Sequence, residues 1–186
     1  MQNIYVTRCL QKTDDIRRLT DRMFEYALVY DASEPEQIRM ISFSLSRLLE
    51  LFREQMDFLE LAGFHTDISF PDADTSDITT PDALTIQADP ELCKRILNNL
   101  FSNILKYGSK QETVTLSMQL PPEINKDAAL CLALKNTVKP EHSAVESNRI
   151  GLKSSTRNME RMGGKLVVFQ TDTFFEVTLS FPVTAP

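Results

Sequence analysis

The spacing of apolar positions changes from block to block along the chain. Ile16, Leu19, Met23, Tyr26 and Tyr30 recur at alternating intervals of three and four, in a stretch from 2 to 30 without Gly or Pro. That spacing predicts one long helix with a single apolar stripe. Asp14, Asp15, Arg17, Arg18, Asp21 and Arg22 fill its other faces. The stripe needs a partner, either the rest of its own domain or a second helix in a hairpin or dimer bundle. Ala32-Ser33-Glu34-Pro35 breaks the helix, because proline lacks a donor and restricts the residue before it. The main boundary is therefore expected here, with residues 1–33 as one part and 34–186 as the other.

Beyond the break the blocks shorten. Residues 39–43 read as a short strand. Leu45, Leu48, Leu49, Phe52, Met56 and Leu59 mark a second helix that ends near Gly63. Phe64, Thr66, Ile68 and Phe70 alternate as a strand does, and 71–82 is a polar loop. Its acids begin at Asp72 like a calcium loop. Asp77 stands where that loop needs glycine and Ala83 where it needs glutamate, so calcium is disfavoured. A strand is expected at 84–87. Asp89-Pro90-Glu91 then has the form of a helix start, an acid cap followed by proline at the first position. That helix runs to Tyr107, with Gly108 as its stop.

Strands follow at 113–120 and 130–136, and an aperiodic loop at 137–149. A helix at 152–162 closes on Gly163-Gly164. Two last strands, 166–169 and 174–181, form a hairpin around Thr171-Asp172-Thr173. The order predicts an α/β fold: a two-layer sandwich of a mixed β-sheet with helices on one face, preceded by the long N-terminal helix.

Composition narrows the chemistry. The 186 residues are 42% hydrophobic and 25% charged, as in a globular chain of one domain plus an appendage. A net charge of −6 argues against nucleic acid as the main partner. Cys9, Cys93 and Cys131 lie far apart, and His65 and His142 are the two histidines. Zinc is thus improbable, and the thiols are read as reduced, in a cytosolic compartment. No apolar run has the length of a membrane span, and no signal peptide is visible. GxxxxGK, GxGxxG, GxSxG and HExxH are all absent, which excludes a P-loop.

The helix at 95–108, RILNNLFSNILKYG, carries the chemistry. Leu92, Ile96, Leu100 and Ile104 form one apolar arc, and Asn99, Asn103 and Lys106 lie within about 60° of each other at its edge. Half-buried amides there need partners. Two amides and an ammonium on one ridge can hold a hydrated Mg²⁺ and phosphate oxygens. Equally, the asparagines can cap or bridge neighbouring loops.

Asn99-Leu100, Asn103 and Lys106-Tyr107 resemble the N-box of sensor histidine kinases of the gyrase/histidine-kinase ATPase superfamily. Asp89-Pro90 with Leu92 resembles the approach to that helix. IGLKSSTRNMERMGGKL at 150–166 resembles the G2 box and its exit, and the end at Leu179 to Pro182 the family's C-terminus. KTDDIRRLTDRMFEYALVY looks like the second helix of the dimerisation and phosphotransfer hairpin. The resemblance covers nearly the whole chain in order.

It implies an ATP-binding kinase module. Asn103 would be the Mg²⁺ ligand and Asn99 its support. Lys106 would meet phosphate, Tyr107 would pack near the adenosine, and 137–149 would be the ATP lid. Backbone amides at Gly151, Leu152 and Lys153 would meet phosphates. Two positions depart from the family pattern. The Asp of the G1 box is replaced by Asn136, whose carbonyl can still accept from the adenine amine. The first G2 glycine is replaced by Arg149, which either obstructs the phosphates or binds them.

No HE or HD phosphoacceptor box occurs; His65 is expected on a sheet surface and His142 in a solvated loop. The resemblance therefore implies a fragment that transfers the γ-phosphate to a histidine outside it, for relay to a response regulator. It would be the cytoplasmic part of a membrane-anchored receptor, able to pair through its N-terminal helix. The alternative is a nucleotide-binding-deficient pseudokinase or scaffold of the same fold.

Overall fold

The computed structural model describes residues 12–13, 38–69, 84–121, 128–139 and 150–184. Its contacts divide the chain into two units, Met1–Gln37 and Ile38–Pro186. In the first, Lys12 and Thr13 are helical. The rest of the expected stripe helix lies outside the described residues, as do the loop at 71–82 and all but the start of the loop at 137–149.

The second unit carries strands β1 (Ile41–Ser44), β2 (His65–Ser69), β3 (Thr85–Ala88), β4 (Thr113–Gln119), β5 (Ala129–Thr137), β6 (Lys165–Gln170) and β7 (Phe174–Thr184). Its helices are α1 (Leu45–Leu61), α2 (Pro90–Tyr107) and α3 (Ile150–Arg161). The elements match the sequence-based expectation in order and type, with ends moved by one to three residues. β1 stops at Ser44 because that hydroxyl turns to cap α1, accepting from the Arg47 amide at 3.4 Å.

The seven strands form one sheet in the order β1-β3-β7-β5-β4-β2, with β6 beside β7. β2 and β4 are parallel and the other pairs antiparallel, so the sheet is mixed. β7 is the organising strand. It pairs with β5 from Phe174 to Pro182, with β6 over its first part and with β3 at Val183 and Thr184. Burial alternates along its neighbours: Val114, Leu116 and Met118 on β4, Leu130, Leu132 and Leu134 on β5, and Val177, Leu179 and Phe181 on β7 are buried. One face of the sheet therefore lies under the helices, as predicted.

Those side chains meet Leu48, Phe52 and Met56 of α1 and Ile96, Leu100 and Ile104 of α2 in a single core. Each fully buried side chain contributes about 1.5–3 kcal/mol. Phe52 and Phe101 join the two helices edge to face, with centroids 6.5 Å apart.

Two helix ends need glycine for its backbone. Gly63 and Gly163 have φ of 86° and 74°. At each, the residue after the glycine donates back into the last turn, Phe64 to Leu59 at 3.0 Å and Gly164 to Met159 at 2.9 Å. The stop at Gly108 works differently. Its φ is −71°, and a Cβ there would sit 2.6 Å from the Ile104 carbonyl. Space, not a left-handed conformation, requires that glycine.

Candidate functional site

α2 begins as its cap predicts and is fastened at that end. Asp89 Oδ1 accepts the amides of Glu91 at 2.9 Å and Leu92 at 3.3 Å, while Oδ2 accepts the Arg39 amide at 2.7 Å. The first free amides of the helix are thus taken by the protein's own carboxylate. The ridge identified from spacing lies toward the other end, where Asn99, Asn103 and Tyr107 are half-buried and Lys106 is exposed.

The two asparagines differ. Asn99 Nδ2 donates to the Gly151 carbonyl at 3.5 Å and to the Ser155 hydroxyl at 3.3 Å, which ties the ridge to the first turns of α3. Asn103, one turn on, has no protein hydrogen-bond partner among the described residues. Its amide oxygen is therefore available to a ligand.

The end of α2 is joined to the end of β5. Gly108 and Val138 form an isolated bridge, and the Ser109 amide donates to the Thr137 carbonyl at 2.8 Å. The Lys139 amide donates to the Tyr107 carbonyl at 2.9 Å, and Lys139 Nζ to the Lys106 carbonyl at 3.3 Å. Lys106 itself suits the last turn, where a cation meets the negative end of the helix dipole.

Asn136 sits in this corner at an inward register position and is 4% exposed. Its Nδ2 donates to the Thr137 carbonyl at 3.0 Å, and its Oδ1 has no donor among the described residues. A buried amide oxygen left so is costly unless a ligand or a water supplies the donor.

The remaining predicted residues gather at α3. Gly151 approaches Asn99, Leu152 packs its side chain on the core, and Lys153 is exposed. Arg149 lies outside the described residues. Residues 99 and 151, predicted separately, are thus brought together. Missed by the sequence reading was Ser155, fully buried at 0% exposure. Its signal was a hydroxyl in register with Met159 and Met162 on the inward stripe of α3.

The candidate residues offer neutral amide oxygens, the lysines Lys106 and Lys153 and the start of a helix, a set suited to a polyanion with a hard cation. No cluster of three or more His, Cys, Asp or Glu able to hold a metal occurs among the described residues. Cys93, one turn into α2, is buried at 2% exposure. Burial first, and the Asp89 charge second, push its thiol from 9.0 up to about 12. No helix among the described residues is long and apolar enough to cross a membrane.

No family profile matches the chain. Sensor histidine kinase YrkQ of Bacillus subtilis (strain 168) is 25% identical over 181 residues, covering 95% of this chain. The chain spans 37% of the length of YrkQ. Acinetobacter baumannii histidine kinase AdeS superposes with a TM-score of 0.56 at 12% identity, over 93% of this chain and 81% of AdeS. The nucleotide-free catalytic domain of histidine kinase ThkA gives 0.56 at 14% identity, over 80% and 99%. ThkA in complex with response regulator protein TrrA gives 0.63 at 14% identity, over 90% of this chain and 48% of that one. The described fold is that of histidine kinase catalytic domains. The chain is a homologue of a sensor histidine kinase along nearly all its length.

Proposed function

We propose that residues 34–186 are the ATP-binding catalytic module of a two-component sensor histidine kinase, with part of the dimerisation hairpin in 1–33. The observation that carries this reading is the half-buried Asn103 amide, without a protein partner among the described residues, one turn from Asn99 on the same ridge. An orphaned hard oxygen beside a second amide fits Mg²⁺, which takes few protein ligands and keeps phosphates and waters.

In this reading Asn103 binds the cation and Asn99 stands behind it. Lys106 places a positive charge against phosphate. Tyr107 packs beside the adenosine, and the Asn136 Oδ1 accepts from the adenine amine. Backbone amides of Gly151, Leu152 and Lys153, at the start of α3, receive phosphate oxygens, with Arg149 close by in sequence. Bound magnesium supplies neutralisation of the triphosphate charge during transfer. The protein's own contribution is position and fixed dipoles, as phosphoryl transfer requires. The acceptor is a histidine on a helix outside this chain, and the phosphate then passes to a response regulator. The module works in the cytoplasm, as part of a membrane-anchored receptor, and residues 1–33 support a homodimer.

A second reading, a nucleotide-deficient scaffold of the same fold, is favoured by the neutral Asn136 and by Arg149 at a glycine position. Calorimetric titration of ATP with and without Mg²⁺, for the wild type and Asn103→Ala, separates the two. The kinase reading expects binding that depends on Mg²⁺ and falls by about tenfold or more in the variant, roughly 1.4 kcal/mol. A folded wild-type chain that ignores millimolar ATP is a scaffold.

A further inference from the structure

We propose that Ser155 is a positioning residue of the nucleotide site, orienting the Asn99 amide; the inference rests on the function proposed above. The inward stripe of α3 reads Leu152, Ser155 and Met159 and continues to Met162 just past the helix end, with intervals of three and four. Met159 and Met162 are buried in the core, and Leu152 packs against it. A hydroxyl with 0% exposure breaks that apolar pattern, and burying it is unfavourable unless it is paired. Departures of this kind gather where a site demands them.

The partner is Asn99. Gly151 and Ser155 are four residues apart, so they lie on one face of α3, one above the other. Together they present a carbonyl and a hydroxyl to the same Nδ2, at 3.5 and 3.3 Å. Both distances are long for such bonds, and two acceptors share the one nitrogen. A Cβ on Gly151 would sit 3.8 Å from Asn99 Cγ, ordinary van der Waals contact, so the approach is not forced by crowding.

The consequence is chemical. With its nitrogen held by α3, the Asn99 amide has only its oxygen left for a ligand. That oxygen is the hard donor a hydrated cation accepts, whereas an NH₂ group repels one. Without Ser155 only the longer contact to the Gly151 carbonyl, at 3.5 Å, holds the amide against presenting its other end. The two contacts fix α3 to the ridge that carries Asn103.

The test titrates Mg·ATP, ATP without Mg²⁺ and adenosine into the wild type, Ser155→Ala, Asn99→Ala and the double variant, with thermal unfolding of each. Ser155→Ala should weaken Mg·ATP by about fivefold and leave adenosine within about a factor of two. In the Asn99→Ala background the same change should cost nothing further. Ser155→Cys, similar in size but a weaker acceptor, should fall between serine and alanine, and it carries the test should alanine not fold. Equal Mg·ATP affinity in wild type and variants, a parallel loss of adenosine, or the same loss in the Asn99→Ala background would each overturn the role. A folded wild type that binds none of the three ligands overturns the kinase reading and this role together. Its signature is distinct, because in the other cases the wild type binds Mg·ATP.

Discussion

The Thr137 carbonyl accepts the Ser109 amide at 2.8 Å, so the helix bearing Asn99 and Asn103 is fastened to the strand bearing Asn136. The same carbonyl also accepts Asn136 Nδ2, at 3.0 Å. One backbone oxygen thereby joins the end of α2 to β5 and leaves the Asn136 Oδ1 without a donor among the described residues.

Asn136→Ala should weaken ATP and adenosine by the same factor. A neutral hydrogen bond is worth about 0.5–1.5 kcal/mol, so the expected loss is roughly three- to tenfold for each. Calorimetry on both ligands checks it. A loss confined to ATP would move Asn136 away from the base.

Lys106→Ala should separate the two ligands. A charge-assisted contact to phosphate is worth about 1.5–3 kcal/mol, so ATP should weaken by roughly tenfold or more while adenosine is unaffected. Raising the salt should narrow the gap between wild type and variant, because Lys106 is exposed and its charge is screened.

Two glycines should respond in opposite directions. A Cβ on Gly164 would lie 2.6 Å from the Ser180 carbonyl and 2.7 Å from Met159 Cε. Gly164→Ala should therefore destabilise the fold by about 1–3 kcal/mol. Gly151 lies inside α3 with nothing nearer than 3.8 Å, so Gly151→Ala should hold or raise stability by about 0.5–1 kcal/mol. Chemical denaturation measures both. If phosphate approaches the backbone at Gly151, the more stable variant will bind Mg·ATP less well.

Cys93 should make stability fall with alkaline pH. The folded thiol titrates at about 12 against 9.0 for an ordinary one. Below 9.0 both states keep the proton and the group has no effect. Above it the unfolded chain releases the proton first, so unfolding is favoured progressively up to about 12, by about 1.4 kcal/mol per pH unit. Wild type should thus lose more stability than Cys93→Ala between pH 9 and 10.5. Parallel unfolding curves for the two would show that the thiol is not held so high.

The ends of α1, α2 and α3 were legible because their signals are local. A cap, a proline at the first position or a glycine after the last turn acts within a few residues. Gly108 shows the limit of such signals. The sequence marks a stop there, but the carbonyl of Ile104 decides why only glycine fits. Asn103 was placed correctly on a half-buried ridge by angular spacing alone, while the engagement of Asn99 with α3 was not visible. Angular position says which residues share a face, not what packs against that face. Ser155 was passed over for the same reason: in one helix its hydroxyl is an ordinary polar residue, and only burial against Asn99 makes it exceptional.

Periodicity, caps and the order of elements in the linear chain thus determine the helices, the strands and the ridge of amides, since each depends on neighbours a turn or two away. The β6–β7 hairpin belongs with them, because its strands meet across Thr171-Asp172-Thr173. The parallel pairing of β2 with β4, the meeting of β3 with the end of β7 and the contact of Asn99 with Gly151 and Ser155 do not. These join positions 48 to 99 residues apart, by register, or 52 and 56 apart by hydrogen bond. They exist only once a single core is shared by the whole sheet and its helices, because no local preference can choose between partners so distant in the chain.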